Sequence, residues 1–265
     1  MEKPSSRREA RAAAGRPRAK KSLGQHFLMH RRIAERIADA AGLASGDTVL
    51  EIGPGTGILT RALLARGARV VAVEADAALA EGLRRDFVDE IARGRLALTT
   101  GDIRAFDLAA LPAGYQVVAN IPYYITGEIL RLLLSAANQP AAMTLLVQKE
   151  VAERIARAKK GSLLALSVAA YGTPRYEFTV PKGAFRPPPA VDSAVLSVRG
   201  ISRVRFAGRA EERFFALIRA GFAHKRKRLA KNLAEAGFAA AAGAVGNARA
   251  EDLSLLEWLA LAANG

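Results

Sequence analysis

The sequence predicts an α/β protein: a mostly parallel, Rossmann-like sheet with helices on both faces and an antiparallel edge, followed by a small all-helical domain. Three observations predict it. From Thr48 onward, short β-branched runs alternate with longer helical patterns. A glycine-rich turn, Gly53-Pro54-Gly55-Thr56-Gly57, links the first run to its helix. The strand signal then stops near Arg199, and only helical periodicity follows.

Taken in order, the strand-like runs are Thr48–Ile52, Arg69–Glu74, Leu96–Thr100, Gln116–Asn120 and Met143–Gln148. Helical patterns such as Ile58–Arg66 and Gly127–Ala137 lie between most of them, which implies βαβ units. After a helix-like stretch at Ser162–Ala170 come two further runs, Arg175–Val180 and Asp192–Val198. The loop between them, Pro181–Pro189, holds no helix of useful length, so the two should pair antiparallel. Glu211–Phe222, Lys225–Ala236 and Leu253–Ala262 read as helices, broken at Gly237 and at Gly243–Gly246. The expected organisation is a flexible basic arm over 1–21, a cofactor-binding domain over 22–199 and a helical domain over 200–265.

Half of the 265 residues are hydrophobic and a quarter are charged, a globular profile. There is no cysteine, which excludes disulfide and thiolate chemistry and fits a reducing cytoplasm. No apolar run approaches the ~20 residues a membrane span needs. The net charge of +15 is uneven. Met1–Lys21 carries eight Lys/Arg against two Glu, and Arg219–Lys231 carries six Lys/Arg and no acid. Two concentrated basic segments on a nearly neutral body point to a polyanion partner.

The glycine turn lets the backbone approach a ligand at an electropositive helix start. Glu74 ends the next strand, where a carboxylate can accept from two ribose hydroxyls. A nicotinamide dinucleotide is the obvious competitor, but its fingerprint wants a small residue where Ile58 stands. The spacing of Gly53, Gly55 and Gly57 instead resembles the first motif of class I methyltransferases. Asp102, after the third strand, can accept from an adenine amino group while Ile103 packs on the ring. A helix-capping residue is the alternative for Asp102.

Asn120-Ile121-Pro122-Tyr123, then Tyr124, ends the fourth strand, where open α/β sheets bind their ligands. An exocyclic adenine nitrogen is a poor nucleophile because its lone pair is delocalised into the ring. A site that accepts hydrogen bonds from that amino group favours a pyramidal nitrogen. Asn120 offers an amide oxygen, Pro122 fixes the loop's path and leaves carbonyls exposed, and Tyr123 can stack on a flipped-out base. A structural turn is the competing reading for this Asn-x-Pro segment.

Together with Lys21-Ser22-Leu23-Gly24-Gln25-His26-Phe27-Leu28 and Ala184–Ser193, these motifs resemble the ribosomal RNA adenine dimethyltransferases of the KsgA/RsmA type. The Erm resistance methyltransferases and Dim-type enzymes are relatives of that group. The resemblance runs from about Lys20 to Asn232. It implies S-adenosylmethionine as cofactor, no metal, and ribosomal RNA of the small subunit as partner; a monomer is expected because the sequence shows no obvious self-complementary apolar stripe. It also implies cofactor contacts from Gln25, His26, Leu28, Gly53, Gly55, Glu74, Asp102, Ile103 and Asn120, with catalysis by Asn120, Pro122 and Tyr123. His26 stands where the family more often has Asn. Phe185 resembles the family's residue beside the target base and would give a second stacking face beside Tyr123; a hydrophobic plug is the alternative. RNA contact falls to Lys20, Lys21, Arg219, Lys225, Arg226, Lys227, Arg228 and Lys231, since clustered cations bind phosphate without reading sequence. Leu229 and Leu233, four residues apart, should face the core.

Three other functions remain open at this point. One is an Erm-type enzyme acting on large-subunit RNA, and another is a non-catalytic nucleic-acid-binding factor on the same fold. The third is a DNA adenine methyltransferase, although no separate sequence-reading element is visible.

Overall fold

A computed structural model describes residues 24–206, 210–224 and 226–264. Lys20, Lys21, Lys225 and the basic arm lie outside the described residues. In chain order the elements begin with β1 (Phe27–Leu28), α1 (Arg31–Ala41), β2 (Thr48–Ile52), α2 (Ile58–Ala65), β3 (Arg69–Glu74), α3 (Ala77–Asp86), α4 (Val88–Ala92) and β4 (Leu96–Thr100). Next come β5 (Gln116–Asn120), α5 (Thr126–Ser135), β6 (Ala142–Gln148), α6 (Lys149–Ala156), α7 (Leu163–Tyr171), β7 (Thr173–Val180), β8 (Phe185–Arg186) and β9 (Ser193–Arg199). The chain closes with α8 (Ala210–Gly221), α9 (Leu229–Glu235), α10 (Ala239–Ala244) and α11 (Leu255–Ala263).

Seven strands form one sheet in the order β4-β3-β2-β5-β6-β9-β7. The first five are parallel, and β9 is antiparallel to both β6 and β7, which makes β7 the edge. The reason is in the side-chain alternation. Val49, Val118 and Leu146 face one apolar layer, while Leu50, Val117, Ala119, Leu145 and Val147 face the other. A sheet buried on both faces needs near-continuous apolar strands. From β2 the chain runs outward through β3 and β4, then returns to the other side of β2 with β5. That reversal opens a crevice beyond the carboxyl ends of β2 and β5, where such sheets hold ligands.

Local signals set the helix ends. Asp76 caps α3 by accepting from the Ala78 N–H at 3.0 Å, and Ser254 and Glu257 form a reciprocal capping box on α11. The last helix of the basic segment differs from expectation. It begins at Leu229 rather than Lys225, because Arg228 is extended at φ −64°, ψ 146°. Arg226 and Lys227 therefore sit in a turn ahead of α9, closed by the Lys227 N–H to the His224 carbonyl at 3.1 Å. Leu229 and Leu233 do face the core.

Among the described residues the C-terminal helices share the core of the sheet. Phe214, Leu217, Ile218, Leu229, Leu233 and Trp258 are buried in the same apolar layer as Leu50, Val117 and Leu145. Tyr171, at the end of α7, joins the two regions. Its ring packs edge-on to Phe206 at 5.3 Å, and its hydroxyl donates to Glu211 Oε1 at 2.6 Å. On the α9 side, the buried Asn232 amide donates to the Gly221 carbonyl at 2.6 Å and to the His224 carbonyl at 3.2 Å. These bonds fix the basic turn to the helices that carry it.

Candidate active site

One cleft at the β2/β5 reversal collects most of the residues singled out above. Gln25, His26, Leu28, Gly53, Gly55, Glu74, Asp102, Ile103, Asn120, Pro122 and Tyr123 all line it. β1 reaches the cleft by pairing antiparallel with β8, Phe27 opposite Arg186 and Leu28 opposite Phe185.

The glycine turn is held from below by Glu74. Its Oε2 accepts from the Gly55 N–H at 2.9 Å, and its Oε1 accepts from the Asp76 N–H at 2.9 Å. A carboxylate offers about four lone-pair positions, so both oxygens keep acceptor capacity toward the cleft. Burial pushes the Glu74 carboxyl above its ordinary range, and the two backbone N–H groups counter this. Gly57, at φ +74°, starts α2 where a Cβ would lie 2.6 Å from the Phe87 ring. The turn is thus shaped as much by the packing beneath it as by what approaches from above.

Asp102 takes the capping role considered for it, and it also stands at the cleft. It lines the cleft, and it caps a short 3₁₀ turn by accepting from the Arg104 N–H at 2.9 Å. The Arg104 side chain also donates to it, Nε to Oδ1 at 2.9 Å, which holds the Asp102 carboxyl below the usual range.

The sequence reading assigned no role to Glu51. It is only 1 % exposed, with Thr60 as the polar group beside its carboxyl. Burial pushes its carboxyl up to about 8 against the opposing contact with Thr60, and Glu74 adds to the rise. The only signal in the sequence was its place directly before the glycine turn. Glu51, Glu74 and Asp102 together line the cleft with carboxyls. Glu51 is protonated at neutral pH and Asp102 is held charged by Arg104, so this acidic wall offers acceptors and negative charge to a ligand with hydroxyl, amino and cationic groups.

At the mouth stand the β5-end residues. The Asn120 Nδ2 donates to the His26 carbonyl at 3.0 Å. Since a carbonyl only accepts, the amide nitrogen must point there, and Oδ1 is left as the acceptor on a residue that lines the cleft. Pro122 sits at φ −56°, ψ 130°, and its carbonyl accepts from Ile125 at 3.2 Å. The Tyr123 hydroxyl shares a 2.5 Å hydrogen bond with Ser193 Oγ, and its ring stacks on His26 with centroids 5.8 Å apart at 25°. Burial raises the Tyr123 phenol above its ordinary value.

Phe185 requires a correction. A stacking face must be open, but Phe185 is 4 % exposed and packed in the apolar layer with Leu28, Val180 and Ala184. It is the plug rather than the platform, because its pairing with Leu28 turns it inward. The exposed ring at the cleft is Tyr124, 65 % exposed. The basic segment lies on the C-terminal helices: Arg219, Arg226, Arg228 and Lys231 are exposed. Lys227 is committed to Glu235 at 3.0 Å, and Arg228 donates to Asn247 Oδ1 at 2.7 Å. Among the described residues no His/Asp/Glu cluster is arranged to hold a metal ion, and no helix is long and apolar enough to cross a membrane.

Comparison with known proteins fixes the family. The family model described as ribosomal RNA adenine dimethylase matches residues 16–263. The chain belongs to the ribosomal RNA adenine dimethylase family. Within it, the chain is 44% identical over 260 residues to a "Ribosomal RNA small subunit methyltransferase A" from Thermosynechococcus vestitus, covering 92% of this chain and 96% of the relative. The solved dimethyladenosine transferase from Plasmodium falciparum aligns with a TM-score of 0.78 at 25% identity, covering 89% of this chain and 96% of that one. The 23S rRNA methyltransferase ErmE aligns with a TM-score of 0.72 at 28% identity, covering 89% and 98%. The dimethylase family's cofactor, S-adenosylmethionine, fits the residues present. The acidic wall suits its sulfonium and ammonium charges, Glu74 suits a ribose diol, and Asp102 with Ile103 suits an adenine.

Proposed function

We propose that this chain uses S-adenosylmethionine to place two methyl groups in succession on the 6-amino nitrogen of adenine, at two adjacent adenines of small-subunit ribosomal RNA. The observation that carries the reading is the locked amide of Asn120. Its nitrogen is spent on the His26 carbonyl, so an acceptor and not a donor meets an incoming amino group.

S-adenosylmethionine, when bound, supplies an electrophilic methyl group. Asn120 Oδ1 and the unused lone pair of the Pro122 carbonyl accept the two amino hydrogens, which localises the nitrogen lone pair. Tyr123 offers its free ring face to the flipped-out base, with its other face against His26. Tyr124 is the exposed ring available beside it. No strong base is required, because the methylated, cationic nitrogen is acidic enough to lose its proton to water. Positioning and fixed dipoles are the main contributions of the protein.

In this reading residues 22–199 bind the cofactor and carry the chemistry, while 200–265 and the basic arm 1–21 hold RNA phosphates. Arg219, Arg226 and Lys231 are exposed and carry no ion pair among the described residues, which supports that role. The chain acts as a cytoplasmic monomer.

The test is methyl transfer from labelled S-adenosylmethionine to undermethylated small subunits, large subunits, naked ribosomal RNA and duplex DNA, followed by nucleoside analysis. Dimethyladenine in small subunits is the expected product. Asn120→Ala should lower the rate by ~10²–10³-fold, the scale seen on losing one positioned polar group. Label confined to large-subunit RNA moves the chain to the resistance group. Binding of cofactor and RNA without transfer refutes catalysis.

A further inference from the structure

Two catalytic side chains, Asn120 and Tyr123, meet at a single residue from a distant part of the chain. His26 touches both. Its main-chain carbonyl takes the Asn120 Nδ2 at 3.0 Å, and its imidazole lies against the Tyr123 ring at 5.8 Å and 25°. A third contact holds the ring in place: Nδ1 is 2.8 Å from the Pro187 carbonyl. Because that carbonyl can only accept, Nδ1 carries the hydrogen and the imidazole cannot rotate freely.

His26 is itself mounted on fixed structure. The next two residues pair with Phe185 and Arg186, and the Met29 N–H donates to the Ala184 carbonyl at 2.9 Å. Tyr123 is pinned from its other end by Ser193 at 2.5 Å. Its ring is therefore fixed at the hydroxyl and on one face, and only the opposite face is left for a base. The asymmetry distinguishes His26 from its neighbours. Gln25 contacts Asp76 beside the glycine turn and Leu28 is buried, whereas the polar contacts of His26 go to Asn120 and Pro187.

We infer that His26 is a positioning residue for the target adenine, setting the Asn120 amide and the Tyr123 ring plane, rather than a ligand of the cofactor. The inference rests on the proposed adenine methylation. A polar residue without a ring could supply the same main-chain carbonyl and a bond to Pro187. It could not back the face of Tyr123. The imidazole adds a rigid aromatic layer, so the base would complete a three-ring stack of His26, Tyr123 and adenine. Aromatic pairs of this geometry prefer the offset arrangement seen here. Losing the layer frees the Tyr123 ring to tilt, and small misplacements at a reacting centre are costly in rate.

The test separates the base site from the cofactor site. A substrate RNA fragment carrying 2-aminopurine at the target position reports stacking through fluorescence quenching and cannot itself be methylated at the 6-position. Calorimetry reports cofactor affinity without turnover. His26→Ala should quench 2-aminopurine less than the wild type and lower kcat by ~10-fold or more, with the cofactor Kd within ~2-fold. His26→Phe, which restores a ring without the Pro187 bond, should recover quenching and part of the lost rate. If His26→Ala does not fold, His26→Asn supplies the same ringless comparison. A tenfold weaker cofactor Kd with unchanged quenching makes His26 a cofactor ligand and overturns the inference. Variants equal to the wild type in quenching and kcat overturn it as well. A wild-type protein that binds the fragment but never methylates adenine refutes the proposed function instead.

Discussion

Glu51 makes the protein's stability depend on pH in a way that one isosteric change should remove. Its carboxyl is 1 % exposed, and burial pushes it up to about 8 from an ordinary 4.5 against the opposing contact with Thr60. Below pH 4.5 the group is protonated in both folded and unfolded chains and adds no slope. Between those two values the unfolded chain has lost the proton and the folded chain keeps it. Unfolding then releases a proton, so stability falls as pH rises, by about 1.4 kcal/mol per pH unit. Burial leaves little solvent screening to discount. Glu51→Gln keeps the shape and cannot ionise. Measured by urea unfolding of cofactor-free protein, the variant should gain about 3 kcal/mol relative to wild type between pH 5.5 and 7.5. A difference that stays constant across that range would show that Glu51 is ionised in the folded chain and would refute the raised carboxyl. The same variant should bind S-adenosylmethionine more weakly at pH 8, where the wild-type carboxylate can charge against a cation.

Two further outcomes follow from the packing and the charge. Gly57→Ala forces a Cβ to within 2.6 Å of the Phe87 ring at φ +74°, and should cost about 3 kcal/mol from the left-handed backbone and overpacking together, read from the midpoint of denaturant unfolding. Replacing Arg219, Arg226 and Lys231 together by Ala should flatten the slope of log binding constant against log salt by about two to three, with cofactor affinity unchanged; an unaltered slope removes them from the RNA interface.

Much of this was legible in the chain because the information is local or periodic. Strands such as Val117–Ala119 announce themselves because both faces are buried, and the antiparallel pairing of β7 and β9 follows from a connection too short for a crossover. Asn120–Tyr123 and the glycine turn are contiguous, so their chemistry can be read without knowing what surrounds them. Long-range packing was not legible. Whether the Phe185 ring faces the cleft or the core depends on its pairing with Leu28, 157 positions away. The α9 boundary depends on Arg228, whose propensity allows a helix that the turn from His224 overrides. The burial of Glu51 and the contact of His26 with Tyr123 exist only in the folded chain, where β1 stands beside the loop after β5.

The shared apolar layer beneath the sheet and the C-terminal helices has a mechanical consequence. With Leu50 and Trp258 in one continuous core, the basic turn cannot swing on a hinge without opening the interior that supports β5. The span between the arginines and Asn120 is therefore a fixed ruler. Under the proposed function an RNA would be measured against it, and only a fold of the nucleic acid that puts its phosphates at one end and an extruded adenine at the other would engage both at once. Selectivity of this kind needs no base-reading groove, since the rigidity of the protein does the sorting.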